Sequence, residues 1–319
     1  MNDSANNQQS IEAFYEYLDQ VATRLNAMDG TPYLSGVSLA LEYLLDDGFV
    51  KQLPTAVEND LEGFREAVIG IELQKESVRR GIQLAMLKGF KEMRITNAMM
   101  TPDSIGIFIS YIINKLYDGA KDMHILDPLV GTGNMLATIN NHYHHSLKYT
   151  GVDADPTMSE LARNILDALE IDHQIFHADA LAFEGGVFDL IVSDFPIESV
   201  ERKHTYFPYQ IILKHLESLK PHGFFISVIE NDFFDQNEAE QFKSRLMEHA
   251  HLYGLIKFDE TLFKAHPQSL LIIQKKADAS EQIDDFLLAD LPPFDDETRF
   301  NEAIEKLEQW FKKRKVDEQ

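Results

Sequence analysis

Four aspartates stand where apolar segments end: Asp127 after His-Ile-Leu, Asp153 after Thr-Gly-Val, Asp179 after Phe-His-Ala and Asp194 after Ile-Val-Ser. Between the first two lies Gly131-Thr132-Gly133-Asn134, a tight turn that reads as the entry to a helix at Asn134. Glycines let a backbone approach a ligand closely, and the free N–H groups at a helix start point towards it. In open α/β sheets the ligand lies outside the carboxyl ends of the strands, which is where these acids are expected. Asp153, closing the second strand, suits a ribose diol. Asp179 suits the amino group of a base, and Asp127 suits an ammonium. Several such acceptors together ask for a ligand with hydroxyl-rich and cationic parts.

Other chemistries fit less well. The dinucleotide fingerprint needs a third glycine, and Met135 and Leu136 follow Asn134 instead. No Gly-Lys-Ser/Thr loop is present. With no cysteine in the chain, disulfides, thiolate zinc sites and cysteine nucleophiles are excluded. His142, His144 and His145 lack carboxylates at ligand spacing and read as a solvated loop, so no metal is expected.

The elements that position these residues follow from periodicity. From residue 123 strands and helices alternate, the pattern of a doubly wound parallel sheet. The strands read as His124–Asp127, Lys148–Val152, Gln174–His177, Phe188–Val192, Phe224–Ile229 after a turn at Pro221-His222-Gly223, Gly254–Phe258 and Leu270–Gln274. The last two are joined by a loop too short for a crossover helix and should be antiparallel. Residues 11 to about 92 read as helices, carried by Ile11, Phe14, Leu18, Val21 and Leu25 at three-and-four spacing. Lys75, Arg79, Arg80, Lys88, Lys91 and Arg94 read as a solvated helix face. Thr101-Pro102 reads as a helix N-cap with proline at the first position. Trp310 and Phe311 read as packing residues of a last helix, Thr298 to Lys315, whose Lys312–Lys315 end suits the helix dipole.

The 319 residues allow one large α/β domain of roughly 200 residues and a smaller one. The expected division is a helical domain over 1–95, a sheet domain over 96–277, and an acidic loop with a final helix over 278–319. The polar N-terminus has no leader pattern, and no apolar run approaches the ~20 residues of a membrane span, so a cytoplasmic protein with no membrane contact is expected. Net charge is −24, which argues against a broad nucleic-acid surface.

Asp127-Pro128-Leu129-Val130-Gly131-Thr132-Gly133-Asn134 resembles the first motif of class I S-adenosylmethionine-dependent methyltransferases, and more narrowly that of bacterial adenine-specific DNA methylases such as the modification subunits of type I restriction systems. Met100-Thr101-Pro102, Gly151-Val152-Asp153-Ala154-Asp155-Pro156 and His177-Ala178-Asp179-Ala180-Leu181 follow the family's order, as do Leu219 to Phe225 and the last two strands. The resemblance covers roughly residues 95 to 276. It implies a seven-strand sheet with the last strand antiparallel, preceded by a helical domain. It implies S-adenosylmethionine as cofactor, held by Thr101, Asp127, Pro128, Gly131, Thr132, Gly133, Asn134, Asp153, Ala154, Asp179 and Ala180. No metal is needed, because a sulfonium is already a good methyl donor.

Catalysis would fall to Asp194, Phe195 and Pro196. The family motif here is Asp/Asn/Ser-Pro-Pro-aromatic, whereas this chain reads Asp194-Phe195-Pro196-Ile197. An acid and a backbone carbonyl accept the two hydrogens of the adenine amino group and free its lone pair. The aromatic stacks on the flipped base, which is worth ~1–3 kcal/mol. Asp194 keeps the acceptor and Ile197 loses the stack, for which Phe195, Tyr206, Phe207 or Tyr209 are the candidate substitutes. The resemblance implies transfer to adenine in DNA, with a partner chain for target recognition because this chain has no segment to read sequence. The alternatives are a cofactor-binding regulatory or scaffold protein whose catalysis has lapsed, and a methyltransferase for a protein or small-molecule amine.

Overall fold

The computed structural model describes residues 2–45, 53–71, 73–94, 100–197, 206–263, 266–282 and 285–317. Five helices come first: α1 (Asn2–Asp29), α2 (Tyr33–Leu45), α3 (Thr55–Ile69), α4 (Lys75–Met93) and α5 (Asp103–Tyr117). Then β1 (Met123–Asp127), α6 (Asn134–His142), β2 (Leu147–Asp153), α7 (Pro156–Ala168), β3 (His173–His177), β4 (Phe188–Asp194), α8 (Phe207–Leu216) and β5 (Leu219–Glu230) alternate. A 3₁₀ turn (Phe233–Asp235), α9 (Ala239–His249), β6 (Ala250–Phe258), β7 (Gln268–Lys275), β8 (Leu287–Leu291) and α10 (Glu297–Asp317) complete the chain. The strands form one sheet in the order β3-β2-β1-β4-β5-β7-β6-β8. Strand β7 is antiparallel to both its neighbours, β5 and β6, the second as the short connection between them requires.

The chain divides into two compact units. The first comprises residues 1–103, 130–141 and 151–177. Its core is the apolar stripe of α1 (Phe14, Leu18, Val21, Leu25) against Leu34, Val37 and Leu41 of α2, all buried. The two helices approach closely because α2 presents a glycine: a Cβ on Gly36 would stand 2.8 Å from the Cα of Ala22. On another face α2 meets α7, where Asn164 Nδ2 donates to Ser38 Oγ at 2.8 Å. Asp155 caps α7, accepting from the N–H of Thr157 and Met158, with Pro156 at the first turn.

The second unit comprises residues 104–129, 142–150 and 178–319. Its central strands are continuous apolar runs, covered on both faces: Ile125 and Leu126 pair with Leu190 and Ile191, which pair in turn with Phe224 and Phe225. Trp310 of α10 lies edge-on to Tyr253, and Phe311 is buried, so both are packing residues.

Four expectations change. The sheet has eight strands, because the acidic, proline-broken stretch after residue 284 contains β8, parallel to β6. Leu287 and Leu291 of β8 are buried and Leu288 and Asp290 are not; this alternation is masked by the surrounding acids. The turn at Pro221-His222-Gly223 is instead a bulge inside β5: Phe188 pairs with Leu219 while Leu190 pairs with Phe224, and His222 takes a φ of 60°. Helix α5 starts at Asp103, one residue beyond Pro102, so Thr101 is not the cap adjoining it. The basic face of α4 is not simply solvated: Arg79 is buried, and Lys75 and Lys88 pair with Glu170 and Asp19. The expected boundary near residue 95 lies outside the described residues.

Candidate functional site

In the first unit, the turn between β1 and α6 is built on glycine. Gly131 and Gly133 have φ of 51° and 77°, in the left-handed region that side chains avoid. The Val130 N–H donates to Val152 O at 2.9 Å, and the Gly131 N–H to Asp153 Oδ2 at 3.0 Å. The turn is thereby fastened to the end of β2. Asp153 also accepts from the Asp155 N–H at 2.8 Å. It is not the helix cap, since Asp155 fills that role, and its half-buried carboxylate keeps lone pairs for a ligand. Burial pushes the Asp153 carboxyl above its ordinary value, against the two N–H donors that lower it. Ala154 is exposed beside it, its carbonyl accepting from His177 Nε2 at 3.2 Å. Thr132 and Asn134 are buried. The Asn134 amide turns inward, with Nδ2 donating to Thr101 O at 2.9 Å, so this side chain serves the fold.

In the second unit, Asp127 and Asp194 close the neighbouring parallel strands β1 and β4. Asp127 is buried, with Oδ1 accepting from the Leu129 N–H at 3.0 Å, and Pro128 is buried beside it. Strand β4 runs through Asp194, which pairs with Val228 of β5, and the Phe195 N–H continues the ladder to Val228 O at 3.2 Å. Asp194 is half-buried, Pro196 exposed, and Phe195 4% exposed. The Phe195 ring is therefore core and does not replace the missing aromatic. Tyr206 and Tyr209 are also buried, packed edge-on to each other and to Phe233, which leaves Phe207, half-exposed at the start of α8. Asp179 is exposed after β3, with Oδ1 accepting from the Leu181 N–H at 3.0 Å. Ala180 is buried, and its carbonyl accepts from Nε2 of the fully buried His215 at 2.9 Å.

Two residues escape a reading of the sequence. His215 carries no motif. Arg79 looks like one charge of a polar face, yet it shares helical spacing with the buried Ile82, Met86 and Phe90, and that position is its signal. No cluster of metal-ligating side chains occurs among the described residues. Nor is any described helix long and apolar enough to cross a membrane.

The donor set fits a nucleoside with a charged tail. It offers, in the first unit, a positive-φ glycine turn and an acid held at the end of β2. Comparison with known proteins bears on the fold and the cofactor. Residues 125–223 match the methyltransferase domain family and residues 12–90 the YtxK N-terminal helical domain. The chain is 29% identical over 325 residues to the uncharacterized protein YtxK of Bacillus subtilis (strain 168), covering 96% of this chain and 98% of that one. Among solved structures, a Listeria monocytogenes protein assigned to the class I S-adenosylmethionine-dependent methyltransferases superposes with a TM-score of 0.83 at 26% identity, over 95% of this chain and 99% of that one. The modification subunit assigned to a type I restriction enzyme of Vibrio vulnificus YJ016 superposes at 0.62 with 16% identity, over 79% of this chain and 61% of that one. The chain is thus built on the fold of the class I S-adenosylmethionine-dependent methyltransferases, its residues 125–223 similar to the methyltransferase domain family and its residues 12–90 to the YtxK N-terminal helical domain.

Proposed function

We propose that the protein binds S-adenosylmethionine and transfers its methyl group to an amino nitrogen, by resemblance that of adenine in DNA. The observation that carries this reading is the end of β4, where Asp194 closes a strand parallel and adjacent to the one closed by Asp127. Asp153 would accept from the ribose hydroxyls, Asp179 from the adenine amino group of the cofactor, and Asp127 would hold its ammonium. Gly131 and Gly133 let the backbone come close. The bound cofactor supplies an activated methyl group. Asp194 and the Phe195 carbonyl would accept the two hydrogens of the acceptor amino group, making its lone pair available to the methyl carbon; the carbon–sulfur bond would break as the nitrogen–carbon bond forms, the thioether would leave, and Asp194 would take the proton the nitrogen sheds. A partner chain supplies target recognition, since a net charge of −24 argues against a broad nucleic-acid surface on this chain.

A second reading has its own support. The Phe195 ring is buried and its N–H is tied to Val228, so this position serves the sheet, and Ile197 offers no stacking face. In that reading the protein binds the cofactor and transfer has lapsed, making it a regulatory or scaffold protein. A third acceptor class, a basic polypeptide or small amine, is consistent with the acidic surface. Asp194→Ala separates enzyme from binder. An enzyme loses methyl transfer from labelled cofactor to unmethylated DNA, or to a basic polypeptide, while cofactor affinity is kept. Transfer unaffected by the substitution would reject the mechanism, and no transfer by the native chain to a basic polypeptide, or to DNA in an extract of its own cells that supplies any partner chain, would favour the lapsed form.

A further inference from the structure

The buried guanidinium of Arg79 lies in the helical part of the first unit, outside every motif of the methyltransferase domain. Its side chain is 2% exposed and uses all its donors. Nη1 and Nη2 fork onto Asp103 Oδ1 and Oδ2, both at 2.8 Å. Nε and Nη2 meet Glu76 Oε2 and Oε1 at 2.9 and 2.8 Å. Nη1 also reaches Asn134 Oδ1 at 3.3 Å and Thr138 Oγ1 at 3.5 Å. The partners are linked in turn. Asn134 Nδ2 donates to Thr101 O, Thr138 Oγ1 to Asn134 O at 2.8 Å, Gln83 Nε2 to Asp103 Oδ1 at 2.7 Å, and Asn141 Nδ2 to Glu76 Oε2 at 3.0 Å. One guanidinium thus ties α4 to the start of α5, to the first two turns of α6 and, through Glu76, to the end of α6. The Asn134 it grips is the residue directly after Gly133, where the glycine turn becomes a helix. A planar fork with five donors does this and a lysine cannot, because an ammonium has neither the span nor the fixed geometry.

Resting on the cofactor-binding reading above, we propose that Arg79 is the positioning residue of the glycine turn. By holding Asn134 and the 101–103 segment on one buried charge, it sets where the N–H groups of the turn point, and so makes the N-terminal helical domain part of the cofactor site without touching the cofactor. This predicts that the geometry of the fork, and not the positive charge alone, controls cofactor affinity.

The test is calorimetric titration of the full chain with S-adenosylmethionine, reading affinity and stoichiometry separately, for the native protein, Arg79→Lys, Thr138→Val and Asp153→Ala, each with a thermal melt. Arg79→Lys is expected to weaken binding about ten- to a hundredfold at unchanged stoichiometry, the range that a small misplacement of site groups produces. Thr138→Val removes one acceptor without altering charge and is expected to weaken it about two- to tenfold. If Arg79 only stabilises the fold, Arg79→Lys lowers the melting temperature and the stoichiometry and leaves the dissociation constant unchanged, which overturns the proposal. If Arg79→Lys does not fold, Thr138→Val decides: native affinity in that variant overturns the proposal. Failure of the native chain to bind overturns the cofactor reading and this proposal together, whereas binding weakened by Asp153→Ala but not by Arg79→Lys or Thr138→Val overturns this one alone.

Discussion

His215 and Glu76 have different charges yet weaken the fold in the same direction on acidification. Burial pushes His215 down from 6.5 to about 4, against the bond to Ala180 that raises it. It is neutral in the fold, while the unfolded chain takes up a proton below 6.5, so its contribution is intact above 6.5 and lost as pH falls from there to about 4. Burial alone would raise Glu76, but hydrogen bonds from Arg79 and Arg80 outweigh it and hold the carboxyl down at about 2. Its stabilisation is present above 4.5 and lost as pH falls from 4.5 towards 2. Urea unfolding should therefore show stability falling between pH 7 and pH 5. His215→Gln, whose amide can still donate to Ala180 O, should flatten that fall; an unchanged pH dependence would remove His215 as its source. The strand-end aspartates are legible in the sequence because strand, acid and glycine turn are local patterns. Arg79 and His215 are not, because what buries them lies far along the chain: Asp103 and Asn134 for one, Ala180 for the other.

Helices and strands with a strong period read correctly in place and order, with ends shifted by a few residues. Where the reading fails, composition and period conflict. In β8 the flanking acids and prolines hide a Leu-x-x-x-Leu alternation, and in β5 a proline–glycine turn signal is absorbed as a bulge because the pairing with β4 continues on both sides. The contact between α1 and α2 shows the same dependence on partners. Gly36 looks like a weak point in a helix, and its role becomes visible only against Ala22. Gly36→Val should force the two backbones apart and destabilise the first unit by about 1–3 kcal/mol, as overpacking does. Thermal melting checks this. A native or higher melting temperature would mean that the helices give way without loss.

At the scale of the molecule, the charge of −24 sets the terms for any acceptor. Self-repulsion and repulsion of DNA extend over about a Debye length, roughly 10 Å at 0.1 M salt, so in the DNA reading proposed above other surfaces would have to bring the DNA, whereas a basic polypeptide would be drawn in unaided. Length and composition anticipate a sheet domain and a helical part. They do not reveal that the residues of α1–α4 form one compact unit with the glycine turn, α6, α7 and β3, because that grouping rests on contacts such as Asn164 with Ser38 and Arg79 with Asn134. Everything proposed for the protein depends on the cofactor. The first measurement is accordingly calorimetric titration of the full chain with S-adenosylmethionine beside Asp153→Ala. Binding with a dissociation constant of about 1 μM, weakened more than tenfold (~1.4 kcal/mol) by the substitution, is the expected result. No binding by the native chain, or equal binding by both, would contradict the assignment of Asp153 and the glycine turn as a cofactor site.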